Sequence, residues 1–211
     1  MANEIEYIIF TDASGRKSTI TGRLYCAYAG AIVNVKTKQY TTYSGELGDR
    51  TVAFSEAYAI YKGVQNASRI IPHGKSDVNI LVVTDSKLCV ESLSNWIPNS
   101  WDLSDWQHWK KHDGTLVKNQ EVYRGIIEIS NENPWMNYRV THINSHLQHK
   151  DWEKIKMKLR KYGIVVSQET ADMFRKMNEL VDTIATDITA RMRAEDETYG
   201  PFIRLIRTKE S

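Results

Sequence analysis

Asn79-Ile80-Leu81-Val82-Val83-Thr84-Asp85-Ser86 is a short, unbroken apolar run that ends on an acid and a helix-capping serine. A run of this length with no polar alternation reads as a strand buried on both faces, and Ser86 or Asp85 as the N-cap of the helix that carries Leu88, Val90 and Leu93. A similar unit lies upstream. Glu6 to Phe10 is dense in Ile, Tyr and Phe and meets Thr11-Asp12-Ala13-Ser14-Gly15, a turn signal, so it reads as a central strand ending just before Asp12. Leu24 to Val33 and Gln39 to Ser44 are rich in Val, Ile, Thr and Tyr, with the short polar segment Asn34 to Lys38 between them, which predicts an antiparallel meander of three strands. From Val52 to Ala67 the apolar residues Val52, Ala53, Ala57, Ile60 and Val64 take helical spacing.

Further along, helices are expected over Asn119 to Ile129, Asp151 to Tyr162 with Gly163 as C-cap, and from Ser167 toward Arg193; Met136 to Ile143 reads as a last strand. The expected fold class is α/β, a five-stranded mixed sheet with three antiparallel strands followed by two crossover-linked parallel strands, flanked by helices. One domain is expected over 1–195, with a tail at 196–211. The composition agrees: 211 residues, 41% hydrophobic and 26% charged, suit one ordinary core. The formal charge of +2 excludes an argument for nucleic acid or membrane from overall balance, so any basic surface must be local. No apolar run approaches the roughly 20 residues of a membrane span. The acidic start, Met1 to Glu6, does not resemble a signal peptide, so a cytoplasmic protein, or one of the host cytoplasm if viral, is expected. The two cysteines, Cys26 and Cys89, lie inside apolar patterns and read as buried thiols.

The chemistry is in the acids. Asp12 and Asp85 both follow buried strands, and parallel neighbours would bring them into the crevice beyond the strand ends. Glu56 stands on the intervening helix in a nearly uncharged run, and Asp182 among Leu180, Val181, Ile184 and Ala185 on the last helix. Taken singly, each has an ordinary role as turn residue, cap or solvated helix residue. Four acids converging without basic partners would repel one another unless divalent cations lay between them, and all-oxygen ligation favours Mg²⁺ or Mn²⁺ over zinc.

In this order the residues resemble type 1 ribonuclease H, over roughly Tyr7 to Ala190. In that family an Asp ends strand 1, a Glu lies on the first helix, an Asp followed by Ser ends strand 4, and a last Asp sits in an Asn-x-x-x-Asp-x-x-Ala arrangement. Asp12, Glu56, Asp85-Ser86 and Asn178 to Ala185 fit. Asp172 and Asp187 are the rivals of Asp182. The resemblance implies two Mg²⁺ ions, with Mn²⁺ as substitute, held by Asp12, Glu56, Asp85 and Asp182, and in-line cleavage of the RNA strand of an RNA/DNA hybrid to 5′-phosphate and 3′-hydroxyl ends, by a monomer. His146, preceded by Ser145, is similar to a mobile histidine that helps water enter or product leave; His149 competes with it, and a loop histidine is also common surface decoration. The resemblance also implies nucleic-acid contacts. Thr51 matches a phosphate-contacting residue, and Trp96, Trp101, Trp106, Trp109, Lys110, Lys111, Lys118 and Asn119 match the family's basic protrusion and the start of the next helix, where Tyr123 replaces a usual Trp. The protrusion could equally be a hairpin stapled by its own aromatics.

Three departures stand out. Gly15-Arg16-Lys17-Ser18-Thr19 replaces a glycine-rich stretch, and Val52, Ala53 and Phe54 replace polar residues before the Glu. A helix is inserted near 150–163, an arrangement similar to bacteriophage or other divergent members. From Lys150 to Lys161 it has six basic residues against two acids, which is either a solvated face or a grip on phosphate. A non-catalytic nucleic-acid-binding module and a DNA nuclease of the same fold are the alternatives.

Overall fold

The computed structural model describes residues 4–72, 77–99, 109–111, 113–144, 152–164 and 167–207. Five strands form one mixed sheet in the order β3-β2-β1-β4-β5: β1 Tyr7–Lys17, β2 Leu24–Asn34, β3 Tyr40–Asp49, β4 Val78–Thr84 and β5 Met136–His142. The pairs β1–β2 and β2–β3 are antiparallel, and β4 runs parallel to both β1 and β5, as expected. The helices are α1 Val52–Ile70, α2 Lys87–Glu91, α3 Gln120–Glu132, α4 Trp152–Lys161 and α5 Gln168–Arg207. A π-helical turn, Ser92–Trp96, and a last turn, Ile97–Asn99, prolong α2.

The unbroken apolar runs are explained by cover on both faces. On one face Ile9, Ile80 and Val82 join Ile60 and Val64 of α1 and Ile126 of α3; on the other Ile8, Phe10, Leu81 and Val83 join Leu159 of α4 and Phe174, Val181 and Ala185 of α5. Alternate residues of one strand therefore serve opposite cores. Phe174 meets Phe10 edge to face at 5.0 Å, and both are fully buried. Phe174→Ala is expected to lower stability by about 3–5 kcal/mol, to be read from the shift in a urea titration midpoint.

Several boundaries differ from the sequence reading, β3 for one running to Asp49 rather than Ser44, and two of the differences are large. β1 does not end at Phe10: its parallel pairing with β4 stops at Phe10 and Val83, but its antiparallel pairing with β2 continues to Lys17 and Leu24. Asp12 therefore sits inside a strand, opposite Ala29, two residues beyond Phe10, the last residue that β4 covers on its other edge. Gly15 belongs to this extension rather than to a turn; a side chain there would lie 2.6 Å from Val52 Cγ2, so glycine lets β1 pass close to the start of α1. The second difference is α5, which runs beyond Arg193 through Gly200 and Pro201 to Arg207. Part of what holds it is the tip of the β1–β2 hairpin. Glu197 accepts from the backbone and hydroxyl of Thr19 at 3.0 and 2.7 Å, and Asp196 accepts from Thr21 at 2.7 Å. No helix among the described residues is long and apolar enough to cross a membrane.

Candidate metal centre

The carboxyl ends of β1 and β4 place the first two acids. Thr11 Oγ1 donates to Val83 O at 3.2 Å, and Ile143 N donates to Thr84 O at 2.9 Å, so β1, β4 and β5 are still tied together where the acids begin. Asp85 follows β4 directly and leads into α2, whose N-cap is Ser86, its hydroxyl accepting from Cys89 N. Glu56 comes from the far side, on α1. Thr51 caps that helix, its Oγ1 accepting from Phe54 N at 3.1 Å. One carboxylate oxygen from each of Asp12, Glu56 and Asp85 lies within 4.8 Å of the others.

This grouping is electrostatically unfavourable without a counter-charge. Asp12 is only 6% exposed, and its carboxyl is pushed up to about 7, first by burial and then by Asp85, with Asp182 adding to the rise while the Ala13 N–H, 2.7 Å from Oδ1, opposes it. Glu56 is pushed up to about 9 by burial, then by Asp85 and Asp12. Among the described residues, Glu56 Oε2 and Asp85 Oδ1 are buried without a hydrogen-bond partner. Buried acceptors of that kind carry a desolvation cost that a cation would offset. The donor set fits a hard divalent ion: three converging carboxylates and two unsatisfied oxygens. Cys89 sits behind the acids with its thiol pushed up to about 11, mainly by burial, so it stays protonated; the Tyr123 hydroxyl lies 3.8 Å from its sulfur.

Asp182, half-buried on α5, acts on Asp12 through charge but lies outside the group within 4.8 Å. α5 is held on either side of it. Asn178 Nδ2 donates to Asn144 O at 3.4 Å, and the hydroxyls of Ser14 and Thr189 are 3.1 Å apart. Its rivals face elsewhere: Asp172 is exposed and paired with Arg175 at 3.3 Å, and Asp187 is exposed.

Of the expected nucleic-acid contacts, Thr51, Lys110, Lys111 and Lys118 are exposed, Trp96 is half-buried, and Asn119 precedes α3 in the left-handed region at φ +62°. Trp109 departs from its expected stacking role. It is 3% exposed and packs in the core with Val117 and Val122, because Val117 N donates to Trp109 O at 2.8 Å and Gln120 Nε2 to Val117 O at 2.7 Å, folding the segment back on α3. Trp101, Trp106, His146 and His149 lie outside the described residues. His142 escaped the sequence reading. It ends β5 opposite Thr84, with its imidazole held below the usual range by burial, then by Lys158 and Lys87, while a backbone hydrogen bond with Asp85 acts the other way. No motif marks it; only the register of β5 against β4 puts it beside Asp85.

A family model described as RNase H matches residues 4–188. The chain belongs to the RNase H family. A ribonuclease H of Tropheryma whipplei (strain Twist) is 34% identical over 74 residues, which is 35% of this chain and 42% of that protein, so the match spans less than half of the relative's length. Among solved structures, the PFV RNase H domain superposes with a TM-score of 0.59 at 20% identity, covering 88% of this chain and 94% of that one. An RNase H1, LC11, in complex with an RNA/DNA hybrid superposes with a TM-score of 0.50 at 18% identity over 65% of this chain and 85% of that one. At these identities the superpositions show the RNase H-like fold. Within the family match, the acid triad Asp12, Glu56 and Asp85 is where an RNase H active site is expected.

Thr51→Ala is expected to cost about 1 kcal/mol through the lost α1 cap, whereas Thr51→Ser keeps it. Thermal melts check the cap. If Thr51 also holds a phosphate, hybrid affinity falls in the alanine variant and is kept in the serine variant.

Proposed function

We propose that the protein is an endonuclease that hydrolyses the RNA strand of RNA/DNA hybrids, leaving 5′-phosphate and 3′-hydroxyl ends. The observation that carries this reading is the convergence of Asp12, Glu56 and Asp85, with two of their oxygens buried and unpartnered, in a chain of the RNase H family. These three, joined by Asp182 from α5, would hold divalent cations, Mg²⁺ or Mn²⁺. When bound, such cations lower the pKa of an attacking water and stabilise charge on the phosphoryl and leaving oxygens.

The chain's own part is positioning. Asp12 and Glu56 must give up the protons that burial favours, and their rigid placement at strand and helix keeps the acids fixed through the reaction. Oxygen from water joins phosphorus, the bond from phosphorus to the 3′ oxygen breaks, and that oxygen takes up a proton. His146 is the expected aid to proton movement or product exit. Thr51 at the start of α1, and Lys110, Lys111 and Lys118 on their exposed hairpin, would hold backbone phosphates on the two sides of the cut.

One observation favours a second reading, a DNA nuclease of the same fold. Val52, 39% exposed at the start of α1, is apolar where a residue reading the ribose 2′-hydroxyl would be polar. Incubation with Mg²⁺ and labelled RNA/DNA, RNA/RNA and DNA/DNA duplexes separates the readings. Cleavage of the RNA strand of the hybrid alone is expected. Cutting of DNA/DNA at a comparable rate favours the DNA nuclease, and no cutting of any duplex favours a non-catalytic module.

A further inference from the structure

Helix α4, the inserted element, lies against the catalytic end of the sheet. Ile155 and Leu159 bury it on the α5 side of the sheet, with Trp152 packed beside them. On its exposed side Lys154, Lys158 and Lys161 follow i, i+4, i+7 spacing and form one stripe. The middle lysine fixes where the stripe points: Lys158 Nζ donates to His142 O at 3.0 Å, at the carboxyl end of β5, in line with Thr84 and next to Asp85. Lys87, exposed at the start of α2, is a second cation acting on His142. Lys154 and Lys161 make no ion pair among the described residues, whereas Lys156, off the stripe, is paired with Glu153 at 2.7 Å. A merely solvated basic face has no reason to be anchored by its central residue at the rim of an acid cleft.

A polyanionic duplex approaching Asp12, Glu56 and Asp85 meets repulsion unless cations border the path. We propose that the α4 stripe, with Lys87, is a phosphate grip that holds the backbone of the hybrid along the Asp85 and His142 side of the cleft, separate from the Lys110 to Lys118 hairpin. The proposal rests on the hybrid-nuclease reading given above. The stripe is about 10 Å long from the helical rise, which spans about three phosphates of one strand at about 3.4 Å of axis each. The free ammonium groups at its two ends supply the contacts.

The test uses the full chain with Lys154→Gln and Lys161→Gln combined, and anisotropy of a labelled RNA/DNA hybrid in EDTA between about 50 and 200 mM KCl. Losing two phosphate contacts should weaken binding about tenfold at 0.1 M salt and make the slope of log K against log salt shallower by about 2. With Mg²⁺, KM should rise while kcat at saturation is kept. Lys154→Arg with Lys161→Arg should restore affinity and slope. Lys36→Gln with Lys38→Gln, at the β2–β3 turn, should change neither. Wild-type affinity and slope in the α4 glutamine variant, with the wild type still cutting hybrids, would overturn the grip and leave the nuclease standing. A wild type that neither binds nor cuts hybrids would overturn both.

Discussion

Asp12→Asn is expected to lower Mg²⁺-dependent hydrolysis of a hybrid by about a thousandfold or more, with the fold kept. Stabilising phosphoryl charge through a bound cation contributes several kcal/mol, and each 1.4 kcal/mol is a factor of ten in rate. Asp12 groups with Glu56 and Asp85 and feels the charge of Asp182, so its loss disturbs the whole site. Asparagine is nearly isosteric and its Oδ1 can still accept from Ala13 N, so the strand is not disturbed. Glu56→Gln and Asp85→Asn should behave alike. Single-turnover rates on a labelled hybrid, with circular dichroism to confirm folding, measure the effect; activity within a factor of ten of wild type would remove Asp12 from the site.

The same substitution should stabilise the metal-free protein. The carboxyls of Asp12 and Glu56 are raised on folding, to about 7 and about 9. Below their unfolded values, near pH 4, both are protonated whether the chain is folded or not, and burial costs nothing extra. As pH rises from about 4 to about 9 the unfolded chain releases these protons first, so the folded state loses stability across that window. In EDTA at pH 8, Asp12→Asn should therefore be more stable than wild type by about 2 kcal/mol, or about 4–8 °C in Tm for a chain of this size. At pH 3, below the unfolded value, the difference should vanish. Mg²⁺ or Mn²⁺, which prefers ionised carboxylates, should raise the wild-type Tm more at pH 8 than at pH 5 and leave Asp12→Asn nearly unmoved. Scanning calorimetry over this pH range, with and without metal, checks both statements.

Composition and pattern were enough to read the sheet because its strands are either unbroken apolar runs covered on both faces or Val, Ile and Tyr meanders. Asp12 and Asp85 were legible as acids just past two buried apolar runs, which parallel β1 and β4 bring together, with Glu56 on the helix between; the resemblance to ribonuclease H singled them out. What escaped was set by long-range pairing. Asp12-Ala13-Ser14-Gly15 has the chemistry of a turn, but β2 offers partners out to Leu24 and the close approach of Val52 accepts glycine in a strand. Nothing local shows that. The length of α5 was hidden for a similar reason: glycine and proline at 200 and 201 have low helix propensity, while the hairpin tip at Thr19 and Thr21, nearly 180 residues away, holds the helix at Asp196 and Glu197. Trp109 could be read as a stacking platform or as a staple; it is buried in the core with Val117 and Val122. His142 and Lys158 came together only through the register of β5 and the docking of α4.

A titration of Mn²⁺ into metal-free protein at pH 8, following free Mn²⁺ by electron paramagnetic resonance, tests most directly whether these carboxylates form one cation site. Wild type should bind Mn²⁺, and Asp12→Asn and Glu56→Gln should each weaken that binding more than tenfold while remaining folded. Equal binding by wild type and both variants would contradict the shared site.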